Sequence, residues 1–399
     1  MKILCNREEL SQKLSIVSKV ATAKGTLHVL GGIKLTASGF AAGDGMLTME
    51  ATDLEITLRA TISSQTGQKI KVLEEGTAVV GGKLFTEAIK KLSGLDVLIT
   101  IDDRTSLIES GKTKCSLSVF PPEEFPETIK ESETMENDES FETHADELKE
   151  AVTKTIYATL KEDSRPFTTG IYFELEDNSL RMIGTDINRL AIYSMPISNN
   201  TLGNSAFLVP VKALREIVAV YGKNERLKIG TDRTKIMVQS IGNDVTDPGI
   251  IFSARLLEGQ YPKYTNIIPK DFEGEFKVNR HGFVGALERV QLVSNTVIML
   301  IKDDVIRISG REAGKGSVVD ELEIVEKSGT DLTIGFNIRF LLDYLKTIDN
   351  DATGFKYTVG MKPVVFENAE GAKTNTYLAM PVKLAETEIA GINMDKDAA

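Results

Sequence analysis

Over residues 207–221 an apolar run gives way to apolar positions at helical spacing. There Phe207-Leu208-Val209 reads as a strand and a helix opens at Pro210. Proline suits a first helical position, whose amide would have no intrahelical partner. Lys212 stands four residues before Glu216, and Leu214, Val218 and Tyr221 make an apolar stripe at helical spacing. The arrangement occurs twice more. Lys83 precedes Glu87 with Phe85, Ile89 and Leu92, and Arg339 precedes Asp343 with Leu341, Leu345 and Ile348. The basic residues lie 129 and 127 positions apart. A long, near-constant period predicts a structural unit present three times.

Each unit carries a second helix near its start. Asn6 and Glu9 have capping-box spacing, followed by the stripe Leu10, Leu14, Val17. Counterparts begin near Thr143, with Leu148, Val152 and Ile156, and near Asn279, with Phe283, Leu287 and Val290. The rest alternates like β-structure, over residues 47–62, 180–197 and 305–324. The first two stretches share Ala51-Thr52-Asp53-Leu54 and Gly184-Thr185-Asp186-Ile187. Strands at 97–101 and 106–109 are joined by the polar turn Asp102-Asp103-Arg104-Thr105. The pattern predicts an α+β fold of three repeated domains, each with two helices packed on antiparallel sheets. The domains are placed at 1–127, 140–262 and 270–384, with a polar, acidic tail at 385–399. Residues 121–142, rich in Pro and Glu, read as an exposed linker, and a second boundary falls at 262–275.

Composition narrows the function. A chain of 399 residues with 41% hydrophobic content fits several packed cores. Its two cysteines, Cys5 and Cys115, form no CxxC motif, so a reducing compartment is expected and a disulfide framework is not. The first residues lack an apolar signal segment and no run approaches membrane-spanning length, so a soluble, cytoplasmic protein without membrane partners is expected. The net charge of −11 argues, taken alone, against nucleic acid. Sorting the charge by element changes that. The six helical segments (6–24, 83–91, 144–161, 212–223, 279–295, 339–346) hold 17 Lys and Arg against 9 Asp and Glu, a balance of +8 that leaves −19 elsewhere. A basic helical layer on an acidic body suggests one surface facing a polyanion.

Catalytic chemistry is sparse. His28, His144 and His281 are scattered one per unit, and HExxH, Cys/His clusters and Gly-x-Ser-x-Gly are all missing, so no catalytic residue, metal or cofactor is assigned. Ser110-Gly111-Lys112-Thr113 resembles the end of a phosphate loop, but Ser106 takes the place of the leading glycine and a strand follows instead of a helix. Asp53 and Asp186 read either as the paired acids of a hydrolase or as Asx-turns, and the repeat favours the turns. A scaffold binding only proteins is the other alternative, and the basic helices argue against it.

In order and spacing, several segments together carry a resemblance: Ala51-Thr52-Asp53-Leu54-Glu55, Arg165-Pro166 with Gly170, residues 185–191 (TDINRLA), residues 257–264 (LEGQYPKY) and residues 380–384 (MPVKL). Over residues 1–384 the chain resembles the bacterial sliding clamps, the β subunits of DNA polymerase III. The resemblance implies a non-enzymatic processivity factor: a head-to-tail homodimer of three-domain chains, closed into a ring round duplex DNA. Twelve helices, each about 10 Å wide, would line an opening of about 28 Å, loose around a duplex about 20 Å across. Sequence-independent phosphate contacts would then let the ring slide. The candidate DNA-facing residues are Lys24, which matches a DNA-facing position in the family, and Lys161, Arg165 and Lys212. The implied partners are duplex DNA, the polymerase III alpha subunit, the clamp loader, and other clamp-binding repair and replication proteins.

The family also implies a cleft between the second and third domains that takes extended peptides rich in Leu and Phe. Carried over by motif, its wall is Thr185, Ile187, Arg189, Leu190, Pro262, Ile267, Leu378, Met380, Pro381, Val382 and Leu384, with Thr185 and Arg189 expected to fix the peptide backbone. Here Ile187-Asn188 replaces a Gly-His pair common in the family, and Thr168 stands where a Leu often lines the cleft. Lys383 replaces an Arg, and the tail beyond Leu384 is expected to cover part of the cleft. The ring joint is expected to pair the strand at 112–120 with a third-domain strand of the partner, through an apolar contact of Cys115, Leu117 and Phe283.

Overall fold

The computed structural model describes residues 1–22, 27–39, 44–129, 139–241, 249–358, 360–370 and 372–384. Lys24, most of the acidic part of the first linker and the tail at 385–399 lie outside the described residues.

The first repeat runs β1 (Lys2–Asn6), α1 (Arg7–Val17), β2 (Gly32–Gly39), β3 (Gly45–Thr52), β4 (Ile56–Ser63), β5 (Ile70–Glu74), β6 (Gly76–Gly81), α2 (Gly82–Lys90), β7 (Asp96–Ile101), β8 (Thr105–Ser110) and β9 (Thr113–Phe120). The second runs β10 (Ser140–His144), α3 (Ala145–Thr155), β11 (Gly170–Glu176), β12 (Ser179–Thr185), β13 (Arg189–Pro196), β14 (Ser205–Pro210), α4 (Val211–Val220), β15 (Arg226–Thr231), β16 (Lys235–Ile241) and β17 (Ile250–Arg255). The third runs β18 (Gly274–Asn279), α5 (Arg280–Gln291), β19 (Thr296–Lys302), β20 (Val305–Glu312), β21 (Gly316–Gly329), β22 (Leu332–Asn337), α6 (Ile338–Leu345), β23 (Ala352–Tyr357), β24 (Val364–Glu370) and β25 (Lys373–Ala379). Apart from the added β5, the order of elements is the same in all three. The fold is α+β with antiparallel pairing throughout the described ladders.

By contact the chain forms two compact units. One comprises Met1–Leu148, Ile197–Gly203 and Lys212–Leu256; the other comprises Lys149–Pro196, Asn204–Val211 and the chain from Leu257 onward. Each holds one continuous sheet. In the first the order is β10-β15-β16-β17-β4-β3-β2-β6-β9-β8-β7-β1-β5, and in the second β14-β11-β12-β13-β25-β24-β23-β18-β21-β20-β19-β22. The repeats are therefore joined by main-chain ladders. β17 pairs with β4 from Ile250↔Ala60 to Ala254↔Ile56, and β13 pairs with β25 from Arg189↔Ala379 to Ser194↔Thr374. The strands of the central repeat are shared between the two sheets.

Local chemistry explains the element ends. Asn6 caps α1, its Oδ1 accepting from the amides of Glu8 and Glu9 at 2.9 and 3.2 Å. The reciprocal half of the box is not made. Glu9 instead accepts from the Lys69 amide at 3.2 Å, while the Asn6 amide donates to the Lys69 carbonyl. Pro210 ends β14 and α4 begins at Val211, one residue later than expected; a residue without an amide donor suits either place. Asp102 closes the β7–β8 turn, accepting from the Arg104 and Thr105 amides at 2.8 and 2.7 Å. Ser110 and Thr113 face each other across the β8–β9 hairpin, so the phosphate-loop-like stretch is a turn.

The first linker is not wholly exposed. Phe125 and Ile129 are buried, packed against Val29 and Val79 and against Met237 and Ile251 respectively, and Thr128 donates to Glu50 at 2.8 Å. Phe125 and Ile129 dock the start of the linker, which a composition dominated by Pro and Glu conceals.

Candidate functional site

The expected cleft residues lie within the second unit, and the turn joining β12 to β13 is their centre. Thr185 donates through Oγ1 to the Arg189 carbonyl at 2.7 Å and accepts from the Ile187 amide at 3.0 Å. Asp186 Oδ1 accepts from the amides of Asn188 and Arg189, both at 3.0 Å. This is an Asx-turn, as the repeat suggested. It forces Ile187 to φ 81°, a left-handed conformation poorly suited to a β-branched side chain, and leaves that side chain 49% exposed.

Arg189 departs from expectation. It is buried, and its guanidinium reaches Asp186 Oδ2 at 2.8 Å through Nε, Asp343 Oδ2 at 2.7 Å through Nη1, and the Tyr157 carbonyl through Nη2. Its centre also lies 4.6 Å from the Phe340 ring centroid. Burial pulls the guanidinium pKa down, but the charged and hydroxyl groups around it, chiefly Tyr377, Asp343 and Asp186, leave it above its ordinary value. Thr185 and Arg189 are thus tied into the turn and α6. Their polar groups are engaged within the chain and are not placed to fix a peptide backbone.

The other residues expected to line the cleft divide into buried and partly exposed ones. Leu190 and Leu378 face each other across β13 and β25 and pack in a buried cluster with Ile183, Ile192, Tyr264 and Val365. The Tyr261 ring stacks on Tyr172 at 4.4 Å and lies edge-on to Tyr264 at 6.3 Å. These tyrosines anchor the segment that presents Pro262 and Ile267, and Ile267 is 49% exposed. The C-terminal stretch is pinned at two points. The Met380 amide donates to the Asn188 carbonyl at 2.8 Å, and the Val382 amide to the Gly335 carbonyl at 2.9 Å. Leu384 sits over Gly335, where an added Cβ would lie 2.5 Å from its Cδ2 and push that side chain aside. Pro381 is buried, while Met380, Val382 and Leu384 are half-buried. Thr168 is fully buried and donates to the Arg165 carbonyl, so it has no exposed surface with which to line a cleft.

The other expected sites are only partly realised. Lys161 is exposed. Arg165 is exposed but forks onto Asp163 with two bonds of 2.8 Å, which hold the Asp163 carboxyl down at about 2. Lys212 bonds Asp53 at 2.7 Å and Glu55 at 2.9 Å, so two carboxylates offset its charge. Of the residues expected at the joint, Cys115 and Leu117 are half-exposed on β9. Phe283 is not at a surface: it lies in the core of the third repeat, edge-on to Phe355 at 5.2 Å. Its stripe spacing on α5 marked it as core, and that reading prevails over the resemblance.

Sequence reasoning missed the reach of Arg189 to Asp343 and the tyrosine cluster. The first had one visible trace, an acidic residue in the last repeat opposite a basic turn residue. The stacking left none, because Tyr172 on β11 is far in sequence from Tyr261 and Tyr264, which follow β17. Among the described residues no helix is long and apolar enough to cross a membrane.

The three repeats with one order of elements define the class, a chain of three α+β domains sharing sheets across their boundaries. The family models of the DNA polymerase III beta subunit match in succession: the N-terminal domain at residues 1–129, the central domain at 142–263 and the C-terminal domain at 265–383. The beta sliding clamp of Halalkalibacterium halodurans is 29% identical over 394 residues, spanning 96% of this chain and 100% of its own. That of Staphylococcus aureus strain Mu50 is 28% identical over 392 residues, spanning 96% and 99%. The DNA polymerase sliding clamp from Bacillus subtilis superposes with a TM-score of 0.86 at 24% identity, covering 96% of this chain and 100% of that one. A Pseudomonas aeruginosa sliding clamp bound to griselimycin matches at 0.83 and 22%, with the same coverage. The chain belongs to the DNA polymerase III beta subunit family, the bacterial sliding clamps.

Proposed function

We propose that two copies of this chain, each of three clamp domains at 1–127, 140–262 and 270–384, join head to tail into a ring round duplex DNA. The ring tethers the replicative polymerase as a processivity factor. The observation that carries the reading is the succession of all three family domains across residues 1–383. Retention is topological: a closed ring leaves DNA only at an end, so its phosphate contacts can stay weak and screened. Lys161 is the clearest of the described candidates for such a contact. Arg165 and Lys212 contribute less while their carboxylate partners hold them.

Two open strand edges support the joint. Among the described residues, β9 pairs over 113–118 with β8 alone, since its contact with β6 is confined to Val119 and Phe120. Over residues 316–323, β21 pairs with β20 alone and turns to β18 only from Ile324. Unpaired edges invite another strand. The edge of one copy meeting that of the other would satisfy both, with Cys115 and Leu117 in the contact and Lys112 and Lys114 facing Asp320, Glu321 and Glu323. The second function is peptide docking of the alpha subunit, the clamp loader and other replication and repair proteins on the wall from Ile187 to Leu384.

The deciding experiment loads the protein on nicked circular DNA and then linearises it. Retention before and release after is the expected result; equal release from both overturns the ring. Leu117→Asp is expected to give monomers by light scattering.

A further inference from the structure

We propose that the tail at 385–399 docks in the chain's own peptide groove and competes with partner peptides. This rests on the groove reading above and adds a resident occupant to it. The starting point is where the described chain ends. The Val382 bond to Gly335 and the seat of Leu384 over the same glycine fix the exit of the tail on β22. Met380 and Pro381, part of the wall, lie immediately before. The tail therefore leaves from the wall of the site it would occupy.

The tail is also surplus to the family fold. The C-terminal family model ends at 383, and the H. halodurans relative is matched over its full length by 96% of this chain. Its fifteen residues include Ile389, Ile392 and Met394 among the acids Glu386, Glu388, Asp395 and Asp397. Extended, they would reach at most about 50 Å, and Ile389 stands only about 17 Å of chain beyond Leu384. Ile392 and Met394 would share one face of an extended segment. The rim offers Ile187 and Ile267, each 49% exposed. Residues 262–270 carry Lys263 and Lys270 without an acidic residue, and Lys383 is exposed at the exit. An apolar, acidic segment suits that rim. Tethering supplies an effective concentration in the millimolar range, so even weak intrinsic affinity gives substantial occupancy.

The test compares the full chain, a chain stopped after Leu384, and the full chain carrying Ile389→Asp with Ile392→Asp. A fluorescein-labelled pentapeptide rich in Leu and Phe is the probe, read by anisotropy. Stopping the chain is expected to tighten probe binding about threefold to tenfold, and the double substitution to reproduce the gain. Equal or weaker binding after truncation overturns the inference while leaving the groove reading intact. Failure of all three proteins to bind sinks the groove reading and the inference together. Methyl resonances of Ile187 and Ile267 in the probe-free protein give a second readout. Both are expected to shift on truncation, and unchanged resonances overturn tail docking whatever the probe does.

Discussion

The turn at 52–56 and the turn at 185–189 have the same backbone and differ in what closes on their aspartates. In the first, Thr52 donates to the Ile56 carbonyl at 3.0 Å, and Asp53 accepts from the Glu55 and Ile56 amides at 3.1 and 2.8 Å. Leu54 stands at φ 74°, as Ile187 stands at 81° in the second. Yet Asp53 takes an ammonium from Lys212 at the start of α4, a side chain 57% exposed, whereas Asp186 takes a guanidinium only 5% exposed. The position held by Arg189 in one turn is Ile56 in the other. An apolar residue there leaves the acid to a surface lysine; an arginine draws the acid, α6 and the Tyr157 carbonyl into one buried network. Repetition preserved the backbone and rewired the charge at the repeat boundary where the groove is proposed.

The comparison breaks most sharply at Arg189. Arg189→Leu strands Asp186 and Asp343 without their buried partner, and is expected to cost about 3–5 kcal/mol in chemical denaturation. It should also loosen the wall toward peptide. A loss below about 1 kcal/mol would mean the two networks are energetically alike. Next come Ile187→Gly and Leu54→Gly. Each is expected to stabilise by about 1 kcal/mol through relief of the left-handed strain, but only Ile187→Gly should weaken peptide binding. Equal binding by both would remove Ile187 from the site.

Lys212→Met is expected to cost under about 1 kcal/mol, as for other exposed pairs, and to lose even that in high salt. Its pH dependence sharpens the contrast. Partial burial pulls the ammonium pKa down, but the bonds to Asp53 and Glu55 outweigh this and raise it above 10.5. A raised lysine contributes fully below its unfolded value. The difference between parent and Lys212→Met should thus persist up to about pH 10 and vanish as pH rises through the folded value. Arg189 stays charged, so its contribution should survive the same titration. The smallest effect concerns thiols. Burial, aided by Glu9 and Asp96, pushes the Cys5 thiol up to about 12. One fast-reacting thiol, Cys115, is therefore expected in the folded monomer, protected when the joint forms.

Element type and order were legible because each helix buries a stripe at fixed spacing, and the same spacing recurs. Partners were less legible. The i,i+4 pairs expected on the helices give way to tertiary ones: Lys212 reaches Asp53, and Asp343 lies 2.7 Å from Arg189 but 3.6 Å from Arg339. A helical pair is weak, so a better-placed group from another strand displaces it, and one-dimensional spacing cannot register that. The proposed groove rests on resemblance alone at the level of sequence, since Leu190 and Leu378 look like any other strand residues.

The ladders that carry each sheet from one repeat into the next bear on how the protein can be dissected. A fragment cut at a repeat boundary would strip β4 or β13 of its neighbour and expose a raw row of amides and carbonyls. Single repeats expressed alone should therefore aggregate, and because the central repeat gives strands to both sheets, no single cut at a repeat boundary leaves both sheets whole.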